Sequence, residues 1–559
     1  MTAASVVIPT YERADGLRSV LLALARQTAP ADRFEVVVVD DGSGHATASM
    51  LAAIDVPYRL VVERQENAGP AAARNRGIAA ASGRWCIFID DDILADPGLV
   101  AGHIEAQEQA GGMVGIGGLR LRAVGRRGGL AAYFADWWAE HYRRLEEGEQ
   151  EPDFWGGFSG NLSAPRETLL AVGGFDEELD RSEDVELAYR LEETGLEIGF
   201  VHGAGGEQVH AKGFREIVRD FDRAGAAAVA LWRKHPAMVD HAPLGDFSQG
   251  GARAILARRL LLALRAPVWP LAIVDPLLAG RPSPRLYQFL QLHCFWRSLR
   301  PALGDRETWA RLTRGPVILR YRALAAAGEP PSRYVIPEGR FRRQLAWMRL
   351  RRRPLLSLDD YVVLRMQRRL PPARAVIVTF DDGYADVARA AAPSLRRAGA
   401  PATMFVVTGS AGGSNDWAHS GPVSGRELLS WDGIRRLVKA GFTVGSHAIE
   451  HIDLTALDIT SARRQISGAA EELDRRVHPG MRILSYPYGR SNESVRQAAA
   501  DLGFAGAVGM TPGPNGPAVP LHDLRRMEVW GTRPLHRFVL DLWLGVHFGS
   551  PDRTGQPGG

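Results

Sequence analysis

The chain has 559 residues, of which 45% are hydrophobic and 24% are charged, and its formal net charge is +4. This length is too great for one hydrophobic core, so we expect two or three globular domains. The composition excludes a disordered or fibrous protein. The mild basic excess is compatible with anionic partners, and we expect no nucleic acid polymer among them.

The cysteine content and the N-terminal segment indicate the cellular compartment in which the protein is expected. Cys86 and Cys294 are too few for a disulfide framework or a cysteine-based zinc site. The segment MTAASVVIPTYER leads directly into a strand pattern, without the basic and long apolar regions of a signal peptide. No run of about 20 uninterrupted apolar residues predicts a membrane-spanning helix. We therefore expect a reducing, cytoplasmic location.

Residues 1–240 alternate short apolar strands with alanine-rich helical stretches. The predicted strands are SVVIPT, FEVVVVDD, YRLVVER and WCIFIDDD, and GPAAARNRGIAAASG is a predicted helix. Such alternation predicts an α/β domain with a mostly parallel sheet.

Acidic residues follow two of these strands and recur further along the chain. Asp41 ends one strand, Asp90 and Asp92 end another, and Glu183 and Asp184 stand in SEDVELAYRLEETG. Ligands of open α/β sheets bind outside the carboxyl ends of the strands, so the acids at the two strand ends are expected to point into one crevice. Carboxylate oxygens suit Mg²⁺ or Mn²⁺, which can also hold a diphosphate. An ordinary strand-to-loop turn would explain any one cluster alone.

Taken in order, these segments resemble the family 2 glycosyltransferases, which have the GT-A, Rossmann-like fold. The resemblance rests on VVIPTYER, VVVVDDGS, ENAGPAAARNRGIAAASGRWCIFIDDD and GGFDE with SEDVELAYRLEETG, and it covers about residues 4–235. It implies a nucleotide-sugar donor, a glycan or lipid-linked acceptor, and Mg²⁺ or Mn²⁺ as cofactor. It also implies that Asp184 is the general base that deprotonates the acceptor hydroxyl in an inverting transfer.

The same resemblance assigns the other residues of this site. It implies that Pro9, Thr10, Tyr11 and Glu12 line the nucleotide pocket, that Asp41 contacts the nucleobase and that Arg74 lies near the diphosphate. It further implies donor contacts at Asp91 and Glu183. The implied metal ligands are Asp90, Asp92 and His210. A surface histidine is the alternative for His210.

Residues 241–314 are helical and rich in arginine, and we interpret them as an extension and connector. The stretch LLLALRAPVWPLAIVDPLLAG, residues 260–280, is the most apolar part of this segment. With arginines on both sides and Trp269 inside, it could lie on a membrane surface. A buried helical hairpin is the alternative.

A second α/β pattern covers residues 315–545, before a tail, 546–559, that we expect to be disordered. In VIVTFDDGYAD, residues 376–386, Asp381 and Asp382 end a buried apolar run. An Asp-Asp-Gly turn would explain them, but His447 and His451 follow in VGSHAIEHIDL. Their spacing of four predicts a helical turn with both imidazoles on one face. Asp382 and the two histidines then form a divalent-metal site, leaving Asp381 to act as a base on water.

With SYPYG at 485–489 and DLRRMEVWG at 523–531, these segments resemble the polysaccharide deacetylases of carbohydrate esterase family 4, which have a distorted (β/α) barrel. The resemblance covers about residues 315–540 and implies Asp381 as catalytic base. It implies Zn²⁺ or another divalent metal on Asp382, His447 and His451. The remaining implied assignments are substrate contacts at Pro487 and Tyr488, a tether on Asp381 at Arg526, and a catalytic acid at His522 or His536.

We therefore predict a bifunctional carbohydrate enzyme. It would transfer a sugar from a nucleotide donor and remove acetyl from an N-acetylated sugar by hydrolysis of a non-peptide C–N bond. The predicted context is assembly of a cell-surface polysaccharide or glycolipid, with possible peripheral contact at the inner membrane face. One alternative is a transferase with a degenerate, glycan-binding deacetylase-like domain, and another is a membrane-surface scaffold for assembly enzymes.

Overall fold

The computed structural model describes residues 2–123, 128–156, 159–210, 212–240, 244, 247–279, 283–325, 328–418, 421–478 and 480–547. The chain forms two compact units, Met1–Leu231 with Pro267–Ser298 and Trp232–Ala266 with Leu299–Gly559. The predicted connector, 241–314, therefore contributes residues to both units, and the domain boundaries given above stay predictions. Most of the predicted tail lies outside the described residues.

Eighteen strands occur in the described parts of the chain. They are β1 Ala4–Thr10, β2 Phe34–Asp40, β3 Arg59–Arg64, β4 Trp85–Ile89, β5 Ile93–Ala95, β6 Val114–Ala123, β7 Asn161–Pro165, β8 Ile198–His210, β9 Val317–Tyr321, β10 Ala323–Ala325, β11 Val335–Pro337, β12 Leu355–Leu356, β13 Val376–Phe380, β14 Ala402–Val406, β15 Thr443–Ser446, β16 Ile483–Ser485, β17 Gly506–Val508 and β18 Arg526–Glu528.

The same described residues contain nineteen α-helices. They are α1 Ala14–Leu24, α2 His45–Ala53, α3 Pro70–Ala80, α4 Leu99–Ala110, α5 Gly129–Glu146, α6 Arg166–Ala171, α7 Glu183–Glu193, α8 Phe214–Lys234, α9 Gly251–Ala263, α10 Leu271–Val274, α11 Pro284–Leu303, α12 Arg306–Thr313, α13 Glu338–Leu350, α14 Leu358–Met366, α15 Ala392–Ala398, α16 Trp431–Lys439, α17 Ile459–Arg476, α18 Glu493–Asp501 and α19 Leu535–Leu544.

The first unit is built on an eight-stranded sheet in the order β3-β2-β1-β4-β7-β6-β8-β5. The four strands predicted from the sequence are β1 to β4, and they pair in parallel. β7 runs antiparallel between β4 and β6. Apolar side chains of α1, α2 and α4 cover one face of the sheet, and those of α3, α6 and α7 cover the other. Burial on both faces explains the continuous apolar runs of β1, β2 and β4.

The second unit contains a nearly closed parallel barrel, in which the strands follow the order β17-β16-β15-β14-β13-β9-β18 and β12 pairs with β13. A backbone bridge between Val508 and Leu524 lies beside β17. Helices including α13, α16 and α19 pack their apolar faces on the outside of the strands. The predicted α/β class, with a parallel-rich first sheet and a second (β/α) barrel, is confirmed.

Parallel strands place their carboxyl ends at one rim, where the following loops can bring together residues that are distant in sequence. In the second unit, β13 ends before Asp381, β15 ends before His447 and β16 ends before Tyr486. In the first unit, β2 ends at Asp40 and β4 ends before Asp90. Among the described residues, no helix has the length and apolar character needed to cross a membrane.

Candidate active sites

Asp382, His447 and His451 meet at the rim of the barrel. His447 Nε2 lies 3.4 Å from Asp382 Oδ1, and His451 Nε2 lies 3.5 Å from the same oxygen. All three residues are buried, and each offers a ligand atom within 4.8 Å of the others. Over the parts of the chain that the structure describes, this is the single group of three such side chains.

The donor set fits a divalent cation. Neither carboxylate oxygen of Asp382 and neither ring nitrogen of His451 has a hydrogen-bond partner, although all four atoms are buried. Buried polar atoms without partners are costly, so a ligand is expected there. Nδ1 of His447 lies 2.7 Å from the carbonyl oxygen of Ser485, to which it donates, leaving the lone pair of Nε2 toward Asp382. Burial lowers the pKa of His451 to about 3, which keeps the imidazole neutral, as a metal ligand must be.

The backbone that presents the two histidines is not helical, and the predicted helical turn is wrong. Residues 447–451 form an irregular bend, in which Ala448 has a φ of +64°. Asp382 also lies in the left-handed region, with a φ of +72°, and is followed by Gly383 at +81°. Positive φ at non-glycine residues is uncommon, and such residues concentrate at sites where function requires the conformation.

Asp381 points to a different set of partners from Asp382. Arg526 donates from Nη1 to Oδ1 at 2.6 Å and from Nη2 to Oδ2 at 3.0 Å, and Arg320 donates from Nε to Oδ2 at 2.7 Å. Burial by itself raises the pKa of Asp381, but Arg526 and Arg320 together hold this pKa well below its usual range. The carboxylate is therefore ionised and fixed in orientation.

Arg320 was missed in the sequence analysis. It lies in β9, all of whose residues are buried. A charged residue in a short buried strand requires a counter-ion, and RYRAL carries that signal in the printed sequence. The partner could not be identified locally, because Asp381 follows 61 residues later.

Tyr488 and Pro487 lie beside the metal candidate. The ring of Tyr488 is edge-on to the His451 imidazole, with centroids 4.5 Å apart, and Trp417 stacks on the same imidazole at 4.9 Å. Tyr488 has a φ of +55°, and Pro487 is buried. The rim of the centre is thus aromatic, which suits a sugar ring.

The structure does not bring His522 to this centre. Nε2 of His522 lies 2.8 Å from the carbonyl oxygen of Phe504, which precedes β17 at the amino end of that strand. The metal candidate lies at the opposite, carboxyl ends of the barrel strands. We therefore correct the placement of His522 as catalytic acid. His536, the second candidate, is an exposed residue in the first turn of α19.

In the first unit, a buried arginine joins two of the predicted acidic clusters. Arg74 of α3 donates to Asp90 Oδ1 at 2.7 Å and to Glu183 Oε1 at 2.9 Å. Burial and the neighbouring Asp184 raise the pKa of Glu183, against the opposing effect of Arg74. The end of β4 and the start of α7 therefore meet at this arginine.

The other two carboxylates of the Asp90–Asp92 motif contact a second arginine. Arg13 Nη1 lies 2.8 Å from Asp91 Oδ1 and 3.1 Å from Asp92 Oδ2. Thr10 also donates to Asp91 at 2.8 Å. Burial raises the pKa of Asp91 more than its contacts with Arg13 and Thr10 lower it. Arg13 was missed in the sequence analysis, although it is the last residue of the quoted VVIPTYER stretch.

Asp41 stabilises the loop that precedes α3. Its carboxylate accepts hydrogen bonds from the backbone N–H groups of Ala68 and Gly69, at 2.8 and 2.9 Å, and from Gln65 Nε2 at 2.8 Å. Glu12, at a φ of +53°, accepts from the N–H of Gly44 at 2.9 Å.

The other predicted donor-site residues lie at the same end of the sheet. Tyr11, which follows β1, is half-exposed, and Pro9 is the next-to-last residue of β1. Their nucleotide contacts stay predictions.

Asp184, the predicted base, is held at the start of α7. Its Oδ2 accepts from the N–H of Ser159 at 3.1 Å, and its Oδ1 accepts from the N–H of Val185 at 2.9 Å. Backbone N–H groups stabilise an ionised carboxylate at a helix N-terminus. This geometry fixes the side chain and leaves its role as base a prediction.

The predicted transferase metal set of Asp90, Asp92 and His210 stays a prediction. Asp90 and Asp92 pair with Arg74 and Arg13 rather than with each other. His210 is the last residue of β8, and its side chain lies outside the described part of the structure. We therefore derive no chemistry from a metal ion in this unit.

Comparison with protein families gives two matches in one chain. Residues 5–168 match the family model for glycosyl transferase family 2, and residues 368–507 match that for polysaccharide deacetylase. YxkH from Bacillus subtilis, whose name assigns it to the polysaccharide deacetylases, is 25% identical over 228 residues, which are 40% of this chain and 76% of YxkH.

Two further similarities concern the individual units. Validoxylamine A glucosyltransferase from Streptomyces hygroscopicus subsp. jinggangensis is 31% identical over 267 residues, or 42% of this chain. The chain spans 61% of that enzyme, less than two thirds of its length. The solved structure of the Streptococcus pyogenes deacetylase PplD in complex with acetate aligns with a TM-score of 0.35 and 22% identity, covering 40% of this chain and 96% of PplD.

We predict that the barrel binds about one zinc ion per chain and that the ion is lost when a ligand is removed. Asp382→Ala and His451→Ala should each lower zinc occupancy at least about tenfold after dialysis, measured by plasma mass spectrometry. Asp381→Asn should retain zinc, because Asp381 is taken up by Arg320 and Arg526. Asp501→Asn, on the outer helix α18, is the control. Retention of zinc in both ligand variants would assign the metal to other residues.

Proposed function

Since the chain carries a glycosyl transferase family 2 segment and a polysaccharide deacetylase segment, we propose that it is an enzyme with both activities. The first unit would use a nucleotide-sugar donor and a glycan or lipid-linked acceptor. The second would hydrolyse the acetamido group of an N-acetylated sugar. Two such activities in one chain fit the assembly of a cell-surface polysaccharide.

The deacetylase proposal rests on the different surroundings of Asp381 and Asp382. Asp382 keeps both oxygens free of hydrogen bonds beside His447 and His451, so these three residues would hold the cation. The cation would supply a Lewis acid for the acetyl carbonyl. Asp381, held ionised by two arginines, would accept the proton of the attacking water. Tyr488 and Trp417 would border the sugar ring.

The transferase proposal rests on the position of Asp184, which directly follows Glu183, a partner of the buried Arg74. Asp184 would take the proton of the acceptor hydroxyl, which is a poor nucleophile without a base. Arg74, which Asp90 and Glu183 hold in place, would lie near the leaving diphosphate. The requirement for Mg²⁺ or Mn²⁺ stays a prediction.

We also propose that α9 contacts an anionic membrane surface. One side of this helix is buried through Ile255 and Leu262, while Leu256, Leu260 and Leu264 recur every four residues and are 39%, 56% and 68% exposed. Arg253 and Arg265 flank the stripe, and residues 250–274 contain no Asp or Glu. An exposed apolar stripe with only positive charges around it is complementary to an anionic lipid surface.

The deacetylase is tested by acetate release from N-acetylglucosamine oligomers and lipid-linked N-acetyl sugars with added Zn²⁺. Asp381→Asn should lower the rate by about 10²- to 10⁴-fold, the usual contribution of a general base, with zinc retained. Asp501→Asn should match the wild-type protein. Zinc-loaded wild type that releases no acetate from any of these substrates would instead favour the degenerate, glycan-binding alternative.

The transferase is tested by nucleoside diphosphate release from a panel of UDP-, GDP- and dTDP-sugars with the same glycans as acceptors. Asp184→Asn should lower acceptor-dependent release by about 10²- to 10⁴-fold, while acetate release stays unchanged. Glu193→Gln, an exposed residue of the same helix α7, is the matched control. Equal turnover by Asp184→Asn and wild type would contradict the assignment of Asp184 as base.

Membrane contact is tested by sedimentation with phosphatidylglycerol vesicles and with neutral phosphatidylcholine vesicles. Binding should be about tenfold stronger to the anionic vesicles, because Arg253 and Arg265 lie beside the stripe. The double variant Leu260→Glu, Leu264→Glu should abolish it. Leu350→Glu, at another highly exposed leucine, should leave it intact. Equal binding by both variants would exclude α9 as the contact.

A further inference from the structure

Arg322 is a charged residue at the metal candidate that the proposed chemistry does not use. It follows β9 at the carboxyl rim of the barrel, and its side chain is 15% exposed. Its Nε lies 3.7 Å from Asp382 Oδ2, beyond hydrogen-bond distance, and has no partner. The structure gives its guanidinium no hydrogen bond to any described residue. An arginine this buried needs an acceptor for its N–H groups.

The neighbouring arginines, in contrast, already have carboxylate partners. Arg526 and Arg320 hold Asp381. Arg320 also contacts Glu528 at 3.3 Å, and Arg333 contacts Glu528 at 2.8 Å. A cation on Asp382 would engage the carboxylate that lies 3.7 Å from Arg322. Glu528 and Asp381 also act on Arg322, but they already pair with Arg320, Arg333 and Arg526.

The charges that face the centre therefore have a positive excess. The carboxylates are Asp381 and Asp382 after β13 and Glu528 of β18; the guanidinium groups are Arg320 of β9, Arg322 after β9, Arg333 before β11, and Arg526 of β18. A bound divalent cation would increase this excess. A centre with this balance favours a ligand that brings negative charge of its own.

Aromatic rings connect Arg322 with the outer surface. Its guanidinium lies over Tyr334, 4.6 Å from the ring centroid, and Arg333 lies over the same ring at 5.5 Å. Arg333, which is 49% exposed, also lies 5.2 Å from the centroid of Trp530. Aromatic faces can stack on sugar rings, and guanidinium groups bind carboxylates and phosphates through paired N–H donors.

We propose that Arg322 makes the deacetylase selective for an N-acetylated sugar chain that carries an anionic group, a carboxylate or a phosphate, next to the acetamido group. This inference rests on the proposed deacetylase function. Arg322 would act as a specificity-determining residue: it would bind the anionic group and take no part in the transfer of protons.

The test compares matched pairs of substrates. One pair is an oligosaccharide of alternating N-acetylglucosamine and glucuronate and its methyl ester, which removes the charge. The other pair is an N-acetylglucosamine oligomer with and without 6-phosphate groups. For wild type, kcat/KM for acetate release should be about 10- to 100-fold higher on the charged member of one pair, as expected for a charge-assisted hydrogen bond. The pair that responds identifies the anion.

Variants then assign the preference to Arg322. Arg322→Gln should abolish the preference through KM, and Arg322→Lys should restore part of it because the charge returns without the planar fork. Arg397→Gln, an exposed arginine of α15, is the control. Equal rates on both members of each pair with wild type would overturn the proposal. So would an equal loss of kcat on charged and neutral substrates with Arg322→Gln, which would place Arg322 at the reacting carbonyl.

A binding measurement separates this inference from the proposed function. Calorimetric titration of the zinc-loaded protein with each oligosaccharide measures the preference without hydrolysis. One outcome is that wild type releases no acetate yet binds the charged member of a pair about 10- to 100-fold more tightly than the neutral member. That result would refute the deacetylase function and support the anion site. If acetate is released and neither pair differs in rate or affinity, the deacetylase stands and the role of Arg322 is refuted.

Discussion

Two adjacent carboxylates at the end of a buried strand are the constraint on which the second unit depends. Side by side, Asp381 and Asp382 would repel each other, and each would lose hydration on burial. The fold solves the problem differently for each. Asp381 receives one arginine from β9, which pairs with β13, and a second from β18, which pairs with β9. Asp382, which itself has a left-handed φ, faces His447 and His451 instead. One carboxylate thereby has its hydrogen-bond partners within the protein, and both oxygens of the other have none.

The first unit handles its acidic rim with the same type of residue. Arg74 lies buried between Asp90 and Glu183, and Arg13 bridges Asp91 and Asp92. In both units, the carboxyl ends of parallel strands gather negative charge in one place, and arginines from neighbouring elements compensate for it. The two units differ in whether carboxylate oxygens remain without a partner. The barrel leaves a compact three-residue donor set, whereas each described carboxylate of the Asp90–Asp92 motif is taken up by a guanidinium group.

On the proposed function, the fusion of the two units has a simple physical benefit. If the acceptor of the first unit is the substrate or product of the second, tethering raises the effective concentration at the second site without any new contact. A lipid surface under α9 would add to this effect by confining a lipid-linked acceptor to two dimensions. The excess of positive charge around Arg322 would make the barrel selective for N-acetylated sugar chains that carry an anionic group.

The sequence by itself determined the local features. The strands β1 to β4, the helix α3, the acid pairs at strand ends and the two family resemblances could all be predicted, because each depends on a short run of residues and its hydrophobic period. It also indicated Asp382, His447 and His451 as one set, although a helical turn was the wrong reason. The actual bend requires a positive φ at Ala448, an alanine that carries no such signal.

Only the tertiary structure decided which distant side chains meet. Arg74 reaches Glu183 across 109 residues of sequence. The family resemblance had implied that Arg526 tethers Asp381, and the structure has this contact across 145 residues. Arg320 reaches Asp381 across 61 residues and Arg13 reaches Asp91 across 78, and Arg322 lies beside Asp382, so none of these partners is adjacent in the sequence. His522 shows the converse, because its motif context suggested the catalytic rim while the path of the chain directs its ring to the amino end of β17. Strand order and the closure of the barrel are global properties, so no local pattern of residue types could supply these pairings.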